Sequence, residues 1–227
     1  MRILYATGTS REYFSTVSGY TLPSWRYLIG DKILYLDEPF KVPSIKTREI
    51  MFEKWQEPSL FSTSEKKFYR KSRCIVQALE DGRKHDYVIW IDGDVEVTKQ
   101  PNLDELLPKG NQIVSTVQKP GKDGTGLDSG FVAFNIKHKD FGVFLSEYTS
   151  FWLDKERLRA LPYRFDAPVL EEILKKYEWL NLVNDDYDPH DPLRKHHCGF
   201  DYTKLEKYFL HYWGKKLKKE RFSRKKF

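Results

Sequence analysis

Asp92 and Asp94, separated only by Gly93, are the residues of this 227-residue chain most suited to chemistry. They end the apolar run Val88-Ile89-Trp90-Ile91, which does not alternate and is entered from the polar Gly82-Arg83-Lys84-His85-Asp86. Such a run reads as a short strand buried on both faces, as in a parallel sheet. Carboxylates that end it lie at the carboxyl edge, where open α/β sheets bind ligands, and Gly93 lets the backbone turn and come close to one. Two anions so near each other are costly unless a cation lies beside them. Mg²⁺ or Mn²⁺ would answer that need, held by one or two carboxylates and completed by phosphate oxygens and water. Asp-Gly-Asp is also an ordinary turn sequence. Flanked by an apolar strand and by Val95-Glu96-Val97-Thr98, however, the acids interrupt a sheet core instead of capping a surface hairpin.

A second candidate ligand is His211, at the end of the run Tyr208-Phe209-Leu210 and just before Tyr212-Trp213-Gly214-Lys215-Lys216. A lone histidine is usually structural. In His-x-x-Gly-Lys next to a diphosphate it would supply a metal ligand, Gly214 a close backbone approach, and the lysines positive charge. His196-His197-Cys198 is not read as a metal cluster, because adjacent side chains diverge and no second ligand pair is evident.

The elements that must position these groups follow from the hydrophobic pattern. Arg2 to Ala6 reads as strand one, and Thr7-Gly8-Thr9-Ser10-Arg11 as the polar turn after it. That turn lies at the same edge as Asp92. It either holds a base or ribose through its amides and hydroxyls or is a plain strand-to-helix turn. Pro23 to Leu28 reads as a short helix and Lys32 to Leu36 as a second strand. Ser62-Thr63-Ser64-Glu65 carries the S-x-x-E capping-box pattern, opening a helix that can run to Gly82. At 100° per residue Phe68, Ser72, Ile75, Val76 and Leu79 share its apolar face, with Lys66, Arg70 and Arg73 almost opposite. Lys71 lies at the flank, where a lysine can pass the core edge and reach a phosphate or sugar.

Beyond the acids, Pro101 to Leu107 predicts a short helix and Ile113 to Val117 a strand. Pro120 to Gly130 is a glycine-rich loop with no Walker spacing, running into a strand at Phe131 to Phe134. Asp128 and Ser129 at that strand's start are placed to meet a substrate hydroxyl, or else form a hairpin turn. Lys139 to Trp152 is expected to be helical. Asp166, two residues before Pro168, reads first as an N-cap stabilising its helix by about 1 kcal/mol, although a cap can also face a site. The long polar segment from Asn184 to Phe200 reads as a lid or acceptor loop.

At this length, with 15% aromatic residues and no Gly/Ser- or Pro-rich linker, one well-buried domain is expected. Two cysteines, Cys74 and Cys198, give neither a disulfide framework nor a zinc spacing. The opening apolar run is too short for a signal peptide or a membrane span, and nothing later approaches one, so a cytoplasmic location is expected. The net charge of +6 implies an anionic partner without choosing among nucleotide, nucleic acid and membrane surface. The basic tail reads as a solvated end that can touch an acidic surface.

Taken in order, a strand ending in Asp-x-Asp, an Asp-Ser-Gly strand start, an Asp-led helix and a terminal His-x-x-Gly-Lys resemble the GT-A type glycosyltransferases, glycogenin and its retaining galactosyltransferase relatives in particular. The resemblance covers roughly residues 66 to 216. It implies an α/β fold, a single Rossmann-like GT-A domain with a mixed, mainly parallel central sheet flanked by helices. About 1–98 would be the nucleotide-binding half, about 99–216 the acceptor and metal-completing half, and 217–227 a basic tail. Residue by residue, it implies that Asp94 is a ligand of Mn²⁺ or Mg²⁺, with Asp92 its partner and His211 the third protein ligand. Gly214, Lys215 and Lys216 would contact the diphosphate and Lys71 the donor. From the place of their turn at the sheet edge, and not from the resemblance, Thr7, Gly8, Thr9 and Arg11 are the candidates to hold the base or ribose. Asp128-Ser129-Gly130 is similar to the family's Asn-Ser-Gly beside donor sugar and acceptor, and Asp166 to the Asp of its Asp-Gln pair. Ala167 replaces that glutamine and Leu217 stands where a further lysine is expected, which leaves sugar and stereochemistry open.

The implied activity is metal-dependent transfer of a sugar from a nucleotide-sugar, a UDP-sugar first, to a hydroxyl of a glycan or glycoprotein, as in envelope or viral capsid glycosylation. Asp128 or Asp166 would take the acceptor proton if the reaction inverts, and position the sugar if it retains. Two rivals stand. A sugar nucleotidyltransferase would show a Gly- and basic-rich loop after strand one, where only Thr7-Gly8-Thr9 is present. A nucleic-acid-binding module would line its lysines with exposed aromatics, whereas these aromatics fall mostly in apolar runs. No nucleic-acid partner and no membrane span are therefore expected.

Overall fold

The computed structural model describes residues 1–42, 45–50, 61–118, 126–161, 165–182, 200 and 203–212. The strands are β1 (Ile3–Thr9), β2 (Asp31–Leu36), β3 (Lys46–Glu49), β4 (Tyr87–Ile91), β5 (Val95–Val97), β6 (Val114–Gln118), β7 (Leu127–Asn135), β8 (Leu180–Leu182) and β9 (Phe209–His211). Seven form one sheet in the order β3-β2-β1-β4-β7-β6-β8, and β5 pairs with β9 in a separate ribbon. Within the large sheet only β7 runs against its neighbours; β3, β2, β1 and β4 are mutually parallel, and β6 and β8 are parallel to each other.

That single reversed strand is what assembles the site. Because β7 opposes β4, its first residues arrive at the edge where β4 ends, with Ile91 facing Phe131 and the Asp92 amide donating to the Gly130 carbonyl at 2.9 Å.

Both faces of the sheet are covered, as the unalternating apolar runs require. Leu4, Ala6, Val88 and Trp90 pack under α3 (Thr63–Asp81), α4 (Phe141–Leu153) and α6 (Asp166–Lys175), against Ile75, Leu79, Phe144 and Ile173. The alternate residues Ile3, Tyr5, Ile89 and Ile91 share the other cluster with Trp25, Leu106, Phe200 and Phe209. Between β1 and β2 the chain makes short turns: α1 (Arg11–Tyr13), a π-helical stretch Phe14–Ser18, α2 (Gly19–Thr21) and the 3₁₀ helix Leu22–Tyr27 with Pro23 in its first turn. A further short helix, α5 (Lys155–Ala160), starts where the Asp154 carboxylate accepts from the amides of Glu156 and Arg157.

The capping box at the start of α3 forms as expected. The Ser62 amide donates to Glu65 Oε2 at 2.8 Å and the Glu65 amide to Ser62 Oγ at 3.3 Å. Gly82 ends the helix for a packing reason, since a Cβ there would lie 2.1 Å from Val88 Cγ2 on the strand beneath.

Three boundaries differ from expectation. β1 continues through Thr7, Gly8 and Thr9, which pair with Leu34, Tyr35 and Leu36, so these residues are strand and not a polar turn. β7 begins at Leu127, placing Asp128, Ser129 and Gly130 inside it. Phe165, not Asp166, is the N-cap of α6; Asp166 is the first helical residue. The segment 184–199, the glycine-rich stretch 120–125 and the tail from Trp213 onward lie outside the described residues.

Candidate active site

Asp92 and Asp94 leave β4 in a tight turn that the surroundings hold from several sides. The Val95 amide donates back to the Asp92 carbonyl at 3.0 Å, and the Thr21 hydroxyl donates to the Gly93 carbonyl at 2.6 Å. The Tyr212 amide, one residue past β9, donates to the Asp94 carbonyl at 3.1 Å. The pairing of Val95 with His211 then brings the imidazole over the turn. One ligand atom from each of Asp92, Asp94 and His211 lies within 4.8 Å of the others. Asp94 and His211 are buried and Asp92 partly so.

Burial and the neighbouring charges together set the electrostatics of these groups. Burial raises the Asp92 carboxyl above its ordinary value; Lys71 opposes this, and the charges of Asp94 and Asp166 reinforce it. Burial alone would lower His211, but the carboxylates of Asp94 and Asp128 outweigh it and push the imidazole up to about 9. The hydroxyl of Tyr13, from α1, is raised by burial first and then by the charges of Asp94 and Asp92, and it hydrogen-bonds Asp94.

Beside these three residues lies a buried lysine cluster. The Lys71 ammonium is 2.8 Å from Asp92 Oδ1, 2.9 Å from Asp166 Oδ2, 2.9 Å from the Ser129 carbonyl and 3.0 Å from its hydroxyl. An ammonium has three hydrogens, so this one is fully engaged. Lys71 therefore joins α3, the end of β4, β7 and α6, reaching past the core edge as its flank position predicts. Asp92 Oδ1 also accepts from Trp90 Nε1 at 2.7 Å. Asp166 is 1% exposed and makes no capping bond; its place at the start of α6 serves to bury a carboxylate against Lys71.

Asp128 faces the other side of the cluster. Its Oδ1 accepts the Gly130 amide at 2.7 Å, and its carbonyl accepts the Thr116 hydroxyl at 2.6 Å. The register of β6 against β7 slips there, between Thr116 and Val117. Such irregularities often re-aim side chains beside active sites. Gly130 is required by proximity, because a Cβ would lie 2.6 Å from His211 Cε1 and 3.0 Å from Asp128 Oδ1. Gly130→Ala is expected to cost about 1–3 kcal/mol of unfolding free energy by overpacking. Urea denaturation measures this, and an unchanged midpoint would mean that the imidazole has room to move.

The other expected residues fall out differently. Thr7 is 0% exposed, and its hydroxyl has no hydrogen-bond partner among the described residues. Thr9 hydrogen-bonds Ser18 at 2.8 Å, and Gly8 packs where a Cβ would meet Cys74 Sγ at 2.9 Å. Arg11 is exposed and pairs with Glu38 at 3.1 Å over the Phe40 ring. Gly214, Lys215 and Lys216 lie outside the described residues. Tyr13 and Trp90, both on the acids, were missed by the sequence reading. The signal for Tyr13 was its place four residues past Thr9, in the first helical turn after a strand that ends at the ligand edge.

No family model and no curated protein sequence matches the chain. Solved structures do. The WbbM bifunctional glycosyltransferase is 16% identical with a TM-score of 0.60, over 94% of this chain and 46% of that one, so the chain spans about half of WbbM's length. A glycosyltransferase involved in glycosylation of the major capsid of PBCV-1 is 15% identical with a TM-score of 0.55, over 99% of this chain and 98% of that one. The galactosyltransferase LgtC, solved with donor and acceptor sugar analogs, is 12% identical with a TM-score of 0.53, over 85% and 81%. Likeness at so little sequence identity shows the fold alone, and that fold, seen here as a mixed sheet with one reversed strand, is the fold of the GT-A type glycosyltransferases.

Proposed function

We propose that the chain is a metal-dependent glycosyltransferase that moves a sugar from a nucleotide-sugar, a UDP-sugar first, to a hydroxyl of a glycan or glycoprotein. The observation that carries this is the convergence of Asp92, Asp94 and His211 at the carboxyl edge of a GT-A sheet. Two carboxylates and an imidazole are a donor set that Mn²⁺ or Mg²⁺ accepts, and a bound cation would offset the burial, and after it the charges of Asp94 and Asp166, that raise the Asp92 carboxyl. When bound, such an ion stabilises the negative charge that develops on a leaving diphosphate.

The chain's own residues do the rest. Lys71 holds Asp92, Asp166 and Ser129 in one rigid frame, so the groups facing the donor need not reorganise during reaction. Asp166 Oδ1 is buried without a hydrogen-bond partner among the described residues, which suits it to accept from a hydroxyl of the donor sugar. Thr7, Gly8, Thr9 and Tyr13 border the nucleoside. Gly214, Lys215 and Lys216 are assigned to the diphosphate, from the half of the domain beyond residue 98. In the reaction the acceptor oxygen bonds to the anomeric carbon, and the bond from that carbon to the diphosphate oxygen breaks with its electron pair. The acceptor proton passes to a carboxylate, for which Asp166 is the candidate, if the reaction inverts, and to the departing diphosphate oxygen if it retains.

A protein acceptor, such as a capsid subunit, is supported by the nearly end-to-end match with the PBCV-1 capsid glycosylation enzyme. A cytoplasmic location is proposed on the free, buried Cys74; among the described residues no helix is long and apolar enough to cross a membrane.

Thermal unfolding against UDP-, GDP-, CDP- and dTDP-sugars, each with Mn²⁺ and with EDTA, tests the reading. One nucleotide should raise the midpoint only with metal, by about 2.7 kcal/mol of stability at a hundredfold excess over Kd. No shift with any of them would overturn it. Formation of nucleotide-sugar and pyrophosphate from nucleoside triphosphate and sugar phosphate would move the assignment to a nucleotidyltransferase.

A further inference from the structure

His211 meets a carboxylate at each ring nitrogen. Nε2 is 3.4 Å from Asp94 Oδ1, and Nδ1 is 3.7 Å from Asp128 Oδ2. Both are ion-pair separations, somewhat longer than formed hydrogen bonds. The ring has little room to turn away. It is 3% exposed, packs 4.8 Å from the Phe200 ring, and lies against Gly130 where no side chain would fit. Asp128 is equally fixed, with Oδ1 on the Gly130 amide and its carbonyl on Thr116, which leaves Oδ2 as the oxygen turned toward Nδ1.

We propose that Asp128 is the positioning residue of the cation site: by accepting the Nδ1 proton it holds His211 in the tautomer whose Nε2 lone pair faces Asp92 and Asp94. The proposal rests on reading those three residues as a divalent-cation site. A ligand histidine that donates its other N–H to a carboxylate is fixed in tautomer and made more basic. This differs from the proton acceptor that the resemblance implied for Asp128, because a carboxylate turned toward an imidazole and a backbone amide is not turned toward a substrate. It also makes Asp and Asn unequal at this position. A carboxylate has two acceptor oxygens, one for the Gly130 amide and one for Nδ1–H. An amide has a single acceptor oxygen, and its NH₂ would favour the tautomer with the proton on Nε2, which cannot bind metal.

The test is Asp128→Asn in full-length, nucleotide-free protein, with Mn²⁺ alone as the probe and free Mn²⁺ read by electron paramagnetic resonance. Affinity should fall about 10–100-fold. In a His211→Ala background the same substitution should change it little, whereas a merely structural role would lower both alike. In Mg²⁺-loaded wild type the His211 Nδ1–H should appear as a slowly exchanging, downfield-shifted proton, the signature of donation to a carboxylate. Unchanged Mn²⁺ affinity, or an Nδ1–H without that shift, would overturn the proposal. The wild-type Nδ1–H alone decides if the variant does not fold. Mn²⁺ binding with the expected tautomer in a protein that transfers no sugar would sustain the proposal while removing the glycosyltransferase reading.

Discussion

Asp94→Asn is expected to lower sugar transfer about a thousandfold while leaving the metal-free fold intact. The size follows from the several kcal/mol of charge stabilisation that a bound divalent ion gives a developing anion, at about 1.4 kcal/mol per factor of ten. The fold should survive because the substitution has opposing effects on stability. It removes one of the charges that raise Asp92, and it also removes the main counter-charge of His211. The backbone turn is held through the Asp94 carbonyl by Tyr212, a bond that the change leaves in place. The check is a pair of measurements on one preparation: the unfolding midpoint with EDTA, expected to be nearly unmoved, and the Mn²⁺-induced rise, expected to vanish. Transfer that persisted at the wild-type rate would remove Asp94 from the site.

The pH dependence has a definite sign. In metal-free wild type His211 titrates near 9, above its unfolded value of about 6.5, so its pairing with Asp94 and Asp128 stabilises fully below pH 6.5 and is lost as pH rises through 9. A divalent ion must displace that proton, so Mn²⁺ affinity should rise over the same window.

The parts of the fold that could be read from the sequence are those set by local chemistry. The buried strand before Asp92, the capping box at Ser62 and the stop at Gly82 each depend on a few neighbouring residues, and each forms where expected. Asp92, Asp94 and His211 are joined in the sequence by the resemblance in motif order and not by any local pattern, since 117 positions separate Asp94 from His211.

What could not be read is the set of contacts created by strand pairing. β1 runs on through Thr7 to Thr9 because β2 supplies partners for those amides, and no propensity of Thr-Gly-Thr indicates that. Asp166 has the residue type, and the spacing to Pro168, of an N-cap. The attraction of a buried ammonium replaces the roughly 1 kcal/mol that a cap is worth, and only the crossing of α3 and α6 over β7 brings that ammonium near. The partner of Asp128 is likewise set by pairing, through the reversed strand and the slip at Thr116.

Lys71→Met is expected to be among the most destabilising single changes in the chain, costing about 3–5 kcal/mol, because it leaves one buried and one partly buried carboxylate without their cation. The Lys71 side chain is 13% exposed, and those of Asp92 and Asp166 are 24% and 2% exposed, so solvent can do little to replace the charge. Burial alone would lower the lysine, yet Asp166 and Asp92 outweigh it and hold it well above its ordinary value. Its contribution is therefore complete below the unfolded value of about 10.4 and is lost only beyond the accessible range, so wild-type stability should show no alkaline step from this group. In the variant the burden passes to Asp92, whose carboxyl is already raised by burial. A raised carboxyl favours the protonated state in the fold, so the variant should lose stability as pH climbs from the ordinary carboxylate range toward neutrality. Urea unfolding at pH 5 and pH 8 measures both effects. Adding Asp166→Asn to Lys71→Met should return part of the loss, since one of the two stranded charges is gone, while Asp166→Asn alone should be costly. If Lys71→Met were neutral and the double variant no better, the ammonium would be a dispensable surface charge, and the frame that holds Asp92 would have to be sought in Trp90 and the Gly93 turn.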